Sequence, residues 1–281
     1  MKMHTLGRTG ISVSRICLGT MTFGHQNTEA EGHQQMDMAA EHGVNFFDSA
    51  EMYPFPANPK TYGRTDEIVG TWLAARGQRD KIVVATKIAG PGARFEHIRG
   101  GSLKFDRTHL IQAVDDSLAR LRTDYIDLYQ THWPERPANY FGKLGYNHDA
   151  NAEWTPFEEM LDVMAEIEKA GKVRAFGISN ETPWGLMELM KLSESKGLPR
   201  MASIQNPYSL INRTFEVGLA EAAIRSVCGL LAYSPLGFGA LTGKYLDGAL
   251  PEGSRGALYP EFQRNFRPRG VEATARYVAL A

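Results

Sequence analysis

Short runs of apolar residues, rich in β-branched and aromatic side chains, recur along the chain, and each ends at or beside a polar position. Continuous apolar runs of this length are typical of β-strands that are buried on both faces. The pattern predicts strands over residues 16–19, 45–48, 81–87, 124–132, 175–180, 202–206 and 230–234.

Stretches with helical periodicity separate these runs, and several begin with a capping signal. Thr28 and Glu31 have the spacing of a capping box, in which a hydroxyl and a carboxylate bind amide groups at the helix start. Thr155 and Glu158 repeat that spacing, and Asp106 is placed to cap a third helix. The regular alternation of strand and helix predicts parallel strands covered by helices. Periodicity alone leaves both a closed barrel and an open doubly wound sheet possible.

The organisation of the chain predicts a single domain over residues 1–281, with a hairpin at about 2–14 before the first alternating unit. No internal repeat beyond the strand-helix unit and no Ser/Gly/Pro-rich linker divides the sequence. The longest irregular segment spans residues 133–154, and a loop of that length in a compact domain is usually functional or disordered. Its aromatic residues favour a wall of a substrate pocket: Tyr140, Phe141 and Tyr146.

Polar side chains end three successive predicted strands. Asp48, Lys87 and His132 stand at the three ends, and Tyr53 follows in the loop after Asp48. A barrel gathers several strand ends at one mouth, whereas an open sheet places its ligand at a switch point. Taken singly, each residue has an ordinary explanation, such as a turn cap, a surface lysine or a buried imidazole. Together they favour a barrel with these four side chains at its mouth.

The pattern Asp48-x-Ala50-x-x-Tyr53, followed by the strand-ending Lys87 and His132, resembles the catalytic tetrad of the aldo-keto reductases. Further similarity to that family runs from residue 6 to about residue 244, with matches at 177–180, 205–206 and 233–236. Residues 204–213 look most like its bacterial Tas-type branch. The resemblance implies a (β/α)8 TIM barrel that reduces aldehydes or ketones with NADP(H).

The chemistry of such a reduction explains why these residue types are needed. Hydride that arrives at a carbonyl carbon leaves negative charge on the oxygen, so a positioned acid must protonate that oxygen. We expect Tyr53 to be that acid. The cation of Lys87 lowers the cost of ionising a phenol whose ordinary pKa is about 10. Asp48 keeps the buried Lys87 charged and oriented, and His132 donates to the carbonyl oxygen.

The same resemblance implies which residues hold the nucleotide. Its nicotinamide carboxamide would bind to Ser179, Asn180 and Gln205, and its ring would stack on Tyr233. Residues 237–243 have the spacing Gly-x-Gly-x-x-x-Gly late in the chain, so we reject a Rossmann fingerprint. The implied contacts to the diphosphate and the rest of the nucleotide are Ser234, Pro235, Leu236, Gly239, Lys244 and Arg255.

Composition narrows the possible partners and cofactors. The 31 Lys and Arg residues nearly balance the 32 Asp and Glu residues, and no basic tract is present, so nucleic acid is not an expected partner. The N-terminus lacks the apolar stretch of a signal peptide, and no apolar run is long enough to span a bilayer. Cys17 and Cys228 are not spaced for a metal site. We therefore expect a cytoplasmic protein without a metal, acting on a small-molecule carbonyl substrate.

The C-terminal end departs from the family pattern, which continues into an eighth strand and helix. This sequence stops at Ala281, inside the predicted seventh helix, so we expect the eighth βα unit to be missing. Because a barrel's phosphate site usually uses the loops after strands 7 and 8, we expect the chain alone to be a poor enzyme.

Two other functions remain open at this point. One is a redox-sensing, nicotinamide-binding regulatory module, similar to potassium-channel β-subunits, which resemble the reductases. The other is a metal-dependent barrel hydrolase, for which a single histidine beside one Asp and one Lys is a poor ligand set.

Overall fold

A computed structural model describes residues 1–259 and 266–281 of the chain. The strands are β1 (Met3–Thr5), β2 (Ser12–Ser14), β3 (Cys17–Gly19), β4 (Phe46–Asp48), β5 (Val83–Ile88), β6 (Leu128–Thr131), β7 (Phe176–Ser179), β8 (Met201–Pro207) and β9 (Gly229–Tyr233). The α-helices are α1 (Glu29–Glu41), α2 (Arg64–Arg76), α3 (Arg107–Leu121), α4 (Phe157–Lys169), α5 (Pro183–Lys196), α6 (Leu219–Arg225), α7 (Arg255–Leu258) and α8 (Pro268–Leu280). All seven strands predicted from the apolar runs are confirmed.

The order of the strands identifies the fold class. β1 and β2 form the predicted N-terminal hairpin, with Met3 opposite Ser14. The other seven strands form one sheet in the order β3-β4-β5-β6-β7-β8-β9, which is their order along the chain. The pairs from β3 to β7 are parallel. A doubly wound sheet reverses its order at a switch point, whereas an unreversed succession is typical of β/α barrels. The fold is therefore of the β/α-barrel class.

The described residues divide into two compact units. The first comprises Met1–Ile204 and Ala222–Gly229, and the second comprises Gln205–Glu221 and Leu230–Ala281. The single domain expected over residues 1–281 stays a prediction. Each unit is described by itself below.

The core of the first unit is built on its central strands. Every residue of β4, β5, β6 and β7 is buried, as the continuous apolar runs predicted. Helices cover these strands, and α2 lies against α3 so closely that a Cβ atom on Gly70 would be 2.2 Å from the backbone oxygen of Arg120. Only glycine permits this approach. β3 and β9, the first and last strands in the order, are partly exposed, which differs from the prediction.

Two of the three predicted helix caps are confirmed. Thr28 and Glu31 form the reciprocal capping box of α1, and Asp106 accepts a hydrogen bond from the backbone N–H of His109 at the start of α3. The capping box at Thr155 is wrong. The backbone N–H and the hydroxyl of Thr155 instead donate to the Glu135 carboxylate, at 2.9 and 3.2 Å. The N-cap of α4 is Pro156. A carboxylate brought in from the preceding loop binds the groups that a cap would have used.

The second unit consists of the end of β8, most of β9 and the segments that follow. Short 3-10 turns span Gly237–Thr242 and Leu246–Gly248, and α8 forms the last described element. Within this unit Gly243 faces the Val278 side chain of α8, and the Tyr245 hydroxyl accepts a hydrogen bond from the N–H of Gly256. No helix among the described residues has the length and apolarity needed to cross a membrane.

Candidate active site

The structure brings together the three side chains at the predicted strand ends and Tyr53 of the loop after the first of them. Asp48 ends β4, Lys87 lies near the end of β5 and His132 directly follows β6. These strands are parallel neighbours, so their carboxyl ends lie at one edge of the sheet. Tyr53 lies in the loop after β4, and it packs in a buried cluster with Trp133, which follows His132.

The centre of this group is a buried ion pair. The Nζ atom of Lys87, whose side chain is 0% exposed, donates to Oδ2 of Asp48 at 2.7 Å and to the backbone oxygen of Ser49 at 2.7 Å. Burial alone would lower the pKa of Lys87, but the charge of Asp48, the interaction with Tyr53 and the hydrogen bond to Asp48 together raise it. Lys87 is thus held as a cation.

Sequence analysis missed one partner of this ion pair. The Nε2 amide of Gln130 donates to Oδ1 of Asp48 at 3.0 Å, so both carboxylate oxygens of Asp48 are bound. Gln130 lies within β6 and is fully buried. Its only signal in the sequence is a polar side chain two residues before His132 in the same predicted strand.

Tyr53 lies between the cation and the imidazole. Its hydroxyl is 3.5 Å from Nε2 of His132, and the two rings meet edge to face, with centroids 5.4 Å apart. The Nζ atom of Lys87 stands 5.2 Å from the centroid of the Tyr53 ring. A distance of 3.5 Å is long for a hydrogen bond, but such contacts often shorten only when substrate is bound. The phenol of Tyr53 therefore lies beside both the Lys87 ammonium and the His132 imidazole.

The charge state of His132 follows from its surroundings. Burial, with the positive charge of Lys87 added to it, holds the pKa of His132 well below its ordinary value of 6.5. The imidazole is therefore neutral at physiological pH. Its Nδ1 atom is buried and has no hydrogen-bond partner among the described residues.

A neutral buried histidine makes stability depend on pH. Because its pKa is lower in the folded state, the unfolded chain takes up more protons below pH 6.5, and folding stability falls as the pH falls. We expect that His132→Gln reduces the loss of unfolding free energy between pH 6.5 and about pH 5, measured by urea denaturation at each pH. The exposed His42 offers the control variant His42→Gln. An unchanged pH dependence in His132→Gln would contradict the assignment.

An aromatic wall lies beside these groups in the first unit. Trp133 contacts His132, Phe95 and Phe141, with ring centroids 5.0, 5.2 and 5.7 Å away. Its indole N–H donates to the backbone oxygen of Pro91 at 3.0 Å, which fixes the ring. The segment that carries Phe141 is irregular between β6 and α4, as predicted for the long loop.

Two of the expected nucleotide contacts also lie in the first unit. Ser179 ends β7, and Asn180 follows it in a left-handed conformation with φ 53°. The Nδ2 amide of Asn180 donates to the backbone oxygen of His132 at 2.9 Å and to the Ser179 hydroxyl at 3.1 Å. Both side chains are buried. The structure thus brings this pair beside the backbone of His132.

The remaining expected contacts lie in the second unit. Gly237, Phe238 and Gly239 have positive φ values in succession, so the backbone turns sharply here. Lys244 approaches this turn, since a Cβ atom on Gly239 would be 3.3 Å from its Nζ atom, and the Arg255 guanidinium stands 5.4 Å from the Phe238 ring centroid. Both basic side chains thus lie at the turn. The other expected contacts are Gln205 in β8, Tyr233 at the end of β9, and Ser234, Pro235 and Leu236 directly after it.

Comparison with known proteins identifies the family of this chain. A model of the Aldo/keto reductase family matches residues 15–268. Protein tas of Escherichia coli is 48% identical over 281 residues, which cover 100% of this chain and 81% of that protein. Two Bacillus subtilis proteins are also similar: the uncharacterized oxidoreductase YrpG, 37% identical over 88% of this chain and 70% of its own length, and the aldo-keto reductase YhdN, 31% identical over 94% and 71%. The chain belongs to the aldo/keto reductase family.

Proposed function

We propose that this protein reduces aldehydes or ketones with NADPH and that Tyr53 is the general acid. The observation that carries the proposal is the arrangement around the phenol. A lysine held as a cation by Asp48 stands 5.2 Å from the Tyr53 ring, and the neutral His132 faces its hydroxyl at 3.5 Å. An acid, a cation that makes it stronger and a second hydrogen-bond donor are the groups that carbonyl reduction needs.

When bound, the reduced nicotinamide supplies hydride to the carbonyl carbon. Tyr53 donates its proton to the carbonyl oxygen as negative charge develops there. Lys87 favours the phenolate that remains, because a unit charge at about 5 Å contributes roughly 3 kcal/mol at an effective dielectric constant of about 20. Asp48 reduces this effect by its own charge but keeps Lys87 protonated in a buried position.

His132 orients the substrate. We assign the single N–H of the neutral ring to Nε2, because that atom faces Tyr53 and the buried Nδ1 has no partner in the described part of the chain. The N–H and the phenol then converge on one carbonyl oxygen. A protonated imidazole would compete with Tyr53 as the acid, and the lowered pKa of His132 prevents this.

The residues of each unit have the chemistry that NADP(H) requires. In the first unit, the Ser179 hydroxyl and the Asn180 amide, both buried and fixed beside His132, suit a carboxamide that both donates and accepts hydrogen bonds. In the second unit, a turn of small residues and the cations of Lys244 and Arg255 suit phosphate groups, because backbone amides can approach an anion closely there. Gln205 and Tyr233 are proposed as further contacts to the nicotinamide.

The proposed function is tested by following NADPH oxidation with 4-nitrobenzaldehyde as the carbonyl substrate. We expect oxidation that depends on the aldehyde and is unaffected by a metal chelator. Binding of NADPH without any turnover of aldehydes or ketones would contradict the proposal and favour a nicotinamide-binding regulatory module. Loss of this oxidation with the chelator would indicate a metal-dependent reduction and contradict the role of Tyr53 as the acid, whereas a metal-dependent hydrolase would oxidise no NADPH in this assay.

Lys244 is expected to distinguish the two nicotinamide nucleotides. Lys244→Ala should weaken NADPH binding more than NADH binding, because only NADPH carries the additional phosphate that a cation attracts. One partly exposed ion pair contributes about 1 kcal/mol, so we expect a change of about fivefold in Kd for NADPH. The measurement is a titration of nucleotide fluorescence. The matched control is Lys191→Ala, whose side chain is 73% exposed on α5. Equal weakening for both nucleotides would place Lys244 at the shared diphosphate instead.

A further inference from the structure

A second buried carboxylate lies behind the proposed catalytic group and has no part in the mechanism above. Asp66, in the first turn of α2, is 0% exposed. Its Oδ1 atom accepts hydrogen bonds from the Ser49 hydroxyl at 2.5 Å and from the Thr86 hydroxyl at 3.1 Å. The Nε atom of Arg120 stands 3.6 Å from Oδ2. Burial raises the pKa of Asp66 against the opposing effects of these partners.

The two hydroxyls flank the ion pair in the sequence. Ser49 directly follows Asp48, and Thr86 directly precedes Lys87. Successive side chains of a strand point to opposite faces of a sheet. Asp48 and Lys87 therefore meet on one face, and Ser49 and Thr86 meet Asp66 of the covering helix on the other.

Ser49 also connects the two faces through its backbone. Its carbonyl oxygen accepts a hydrogen bond from Nζ of Lys87 at 2.7 Å, while its N–H donates to the backbone oxygen of Ala85 at 2.8 Å. A shift of Ser49 would move an acceptor of the Lys87 ammonium together with the backbone next to Asp48. A group that fixes Ser49 to Thr86 thus fixes the distance between Asp48 and Lys87.

We propose that Asp66 is a positioning residue, which joins Ser49 to Thr86 and thereby fixes where Lys87 stands relative to Tyr53. This inference rests on the proposed role of Tyr53 as the acid. Asp66 acts from behind the sheet and touches neither the substrate nor the reacting atoms. A hydrophobic side chain would fill the same space at a lower cost of burial, since a buried charge is costly unless it is bound by several partners.

The test removes the two hydroxyls and keeps Asp66. The variant Ser49→Ala/Thr86→Val lacks both donors, and the single variants Ser49→Ala and Thr86→Val are measured alongside it in case the double variant does not fold. The matched control is Thr65→Val, which removes an equally buried hydroxyl on α2, one that donates to the backbone oxygen of Phe23 at 2.8 Å. The conservative variant Thr86→Ser keeps a hydroxyl at residue 86, in contrast to Thr86→Val.

Two measurements report on the acidity of the Tyr53 phenol, which lies beside Lys87 and His132. The first is the alkaline limb of kcat for aldehyde reduction, because the acid must be protonated in turnover. The second readout needs no turnover and is the phenolate absorbance of each variant as the pH is raised. Subtracting the absorbance of the same variant with Tyr53→Phe added isolates the signal of Tyr53 from that of the other tyrosines among the 11 in the sequence.

We expect the hydroxyl-free variants to move both the alkaline limb and the Tyr53 titration to higher pH, because a mobile Lys87 favours the phenolate less. We expect kcat at neutral pH to fall by roughly 10-fold to 100-fold, with the KM for the aldehyde nearly unchanged. Thr86→Ser should restore the wild-type limb, and Thr65→Val should lower stability without moving it.

If the alkaline limb of kcat and the titration of Tyr53 stay at the wild-type pH in every folded variant, the positioning role of Asp66 is overturned. Asp66 then has a structural role only. Absence of turnover in the wild type would overturn the proposed function instead, and the Tyr53 titration would still decide whether Asp66 positions Lys87.

Discussion

Replacing Tyr53 with Phe should lower the rate of carbonyl reduction by about two to four orders of magnitude, the usual contribution of a positioned acid. The substitution removes one hydroxyl and keeps the ring, so the packing of Tyr53 with Ala50, Met52 and Trp133 is preserved. NADPH binding should be nearly unchanged, because the lost group acts on the substrate oxygen. Single-turnover reduction of 4-nitrobenzaldehyde and a parallel nucleotide titration measure the two quantities.

The matched control is Tyr125→Phe, which makes the same chemical change just before β6, at the opposite end of that strand from His132. Its rate should equal that of the wild type. If Tyr53→Phe reduces the aldehyde at near-normal rate, another group is the acid, and the assignment of the four residues fails.

The second large effect concerns stability. Removal of Arg99 should lower the free energy of unfolding by about 3–5 kcal/mol, because it leaves the buried carboxylate of Glu51 without its cation, with the N–H of Ala89 and the hydroxyl of Tyr62 as remaining donors. The Glu51 side chain is 0% exposed and that of Arg99 is 3% exposed, and two hydrogen bonds of 2.5 and 2.8 Å join them. Against a typical domain stability of about 5–15 kcal/mol, the loss in Arg99→Leu would be a large fraction of the total.

Urea denaturation followed by tryptophan fluorescence measures this loss. Arg107→Leu is the control, since its ion pair with Glu166 is exposed on both sides and should contribute about 1 kcal/mol or less. The double variant Arg99→Leu/Glu51→Gln should recover part of the lost stability, because it removes the unpaired charge. Equal losses for Arg99→Leu and Arg107→Leu would show that burial does not govern this pair.

Much of the fold was predictable because its signal is local. Each buried strand contains a short run of apolar residues, and the polar residues Asp48, Lys87 and His132 stand at or near the ends of three strands. Parallel neighbouring strands bring such ends to one edge of the sheet. The order of the strands along the chain therefore already indicates which of these polar side chains lie close together. The family resemblance added the proposed role of Tyr53, which no periodicity reveals.

The missed features depend on partners that are distant in the sequence. Asp66 has the position of an ordinary acidic residue in the first turn of a helix, where such a side chain usually faces solvent and interacts with the helix dipole. Its burial follows from the packing of α2 against the sheet. Glu51 and Arg99 lie on different loops, and no pattern within either loop indicates that they pair.

Local competition explains the one wrong cap. Thr155 has the spacing of a capping box, but Glu135, 20 residues earlier, accepts its hydrogen bonds. The charge state of His132 also could not be predicted from the local sequence, because it depends on burial and on Lys87 rather than on neighbouring residues in the chain.

The central claim is that this protein transfers hydride from nicotinamide to a carbonyl carbon, and isotope transfer tests it most directly. NADPH that carries deuterium at both C4 positions of the nicotinamide is incubated with the protein and 4-nitrobenzaldehyde, and the alcohol product is analysed by mass spectrometry. The account predicts one deuterium atom on the carbinol carbon of each alcohol molecule, however slow the turnover, and far less product with Tyr53→Phe. An alcohol without deuterium, or bound NADPH that yields no alcohol at all, would contradict it.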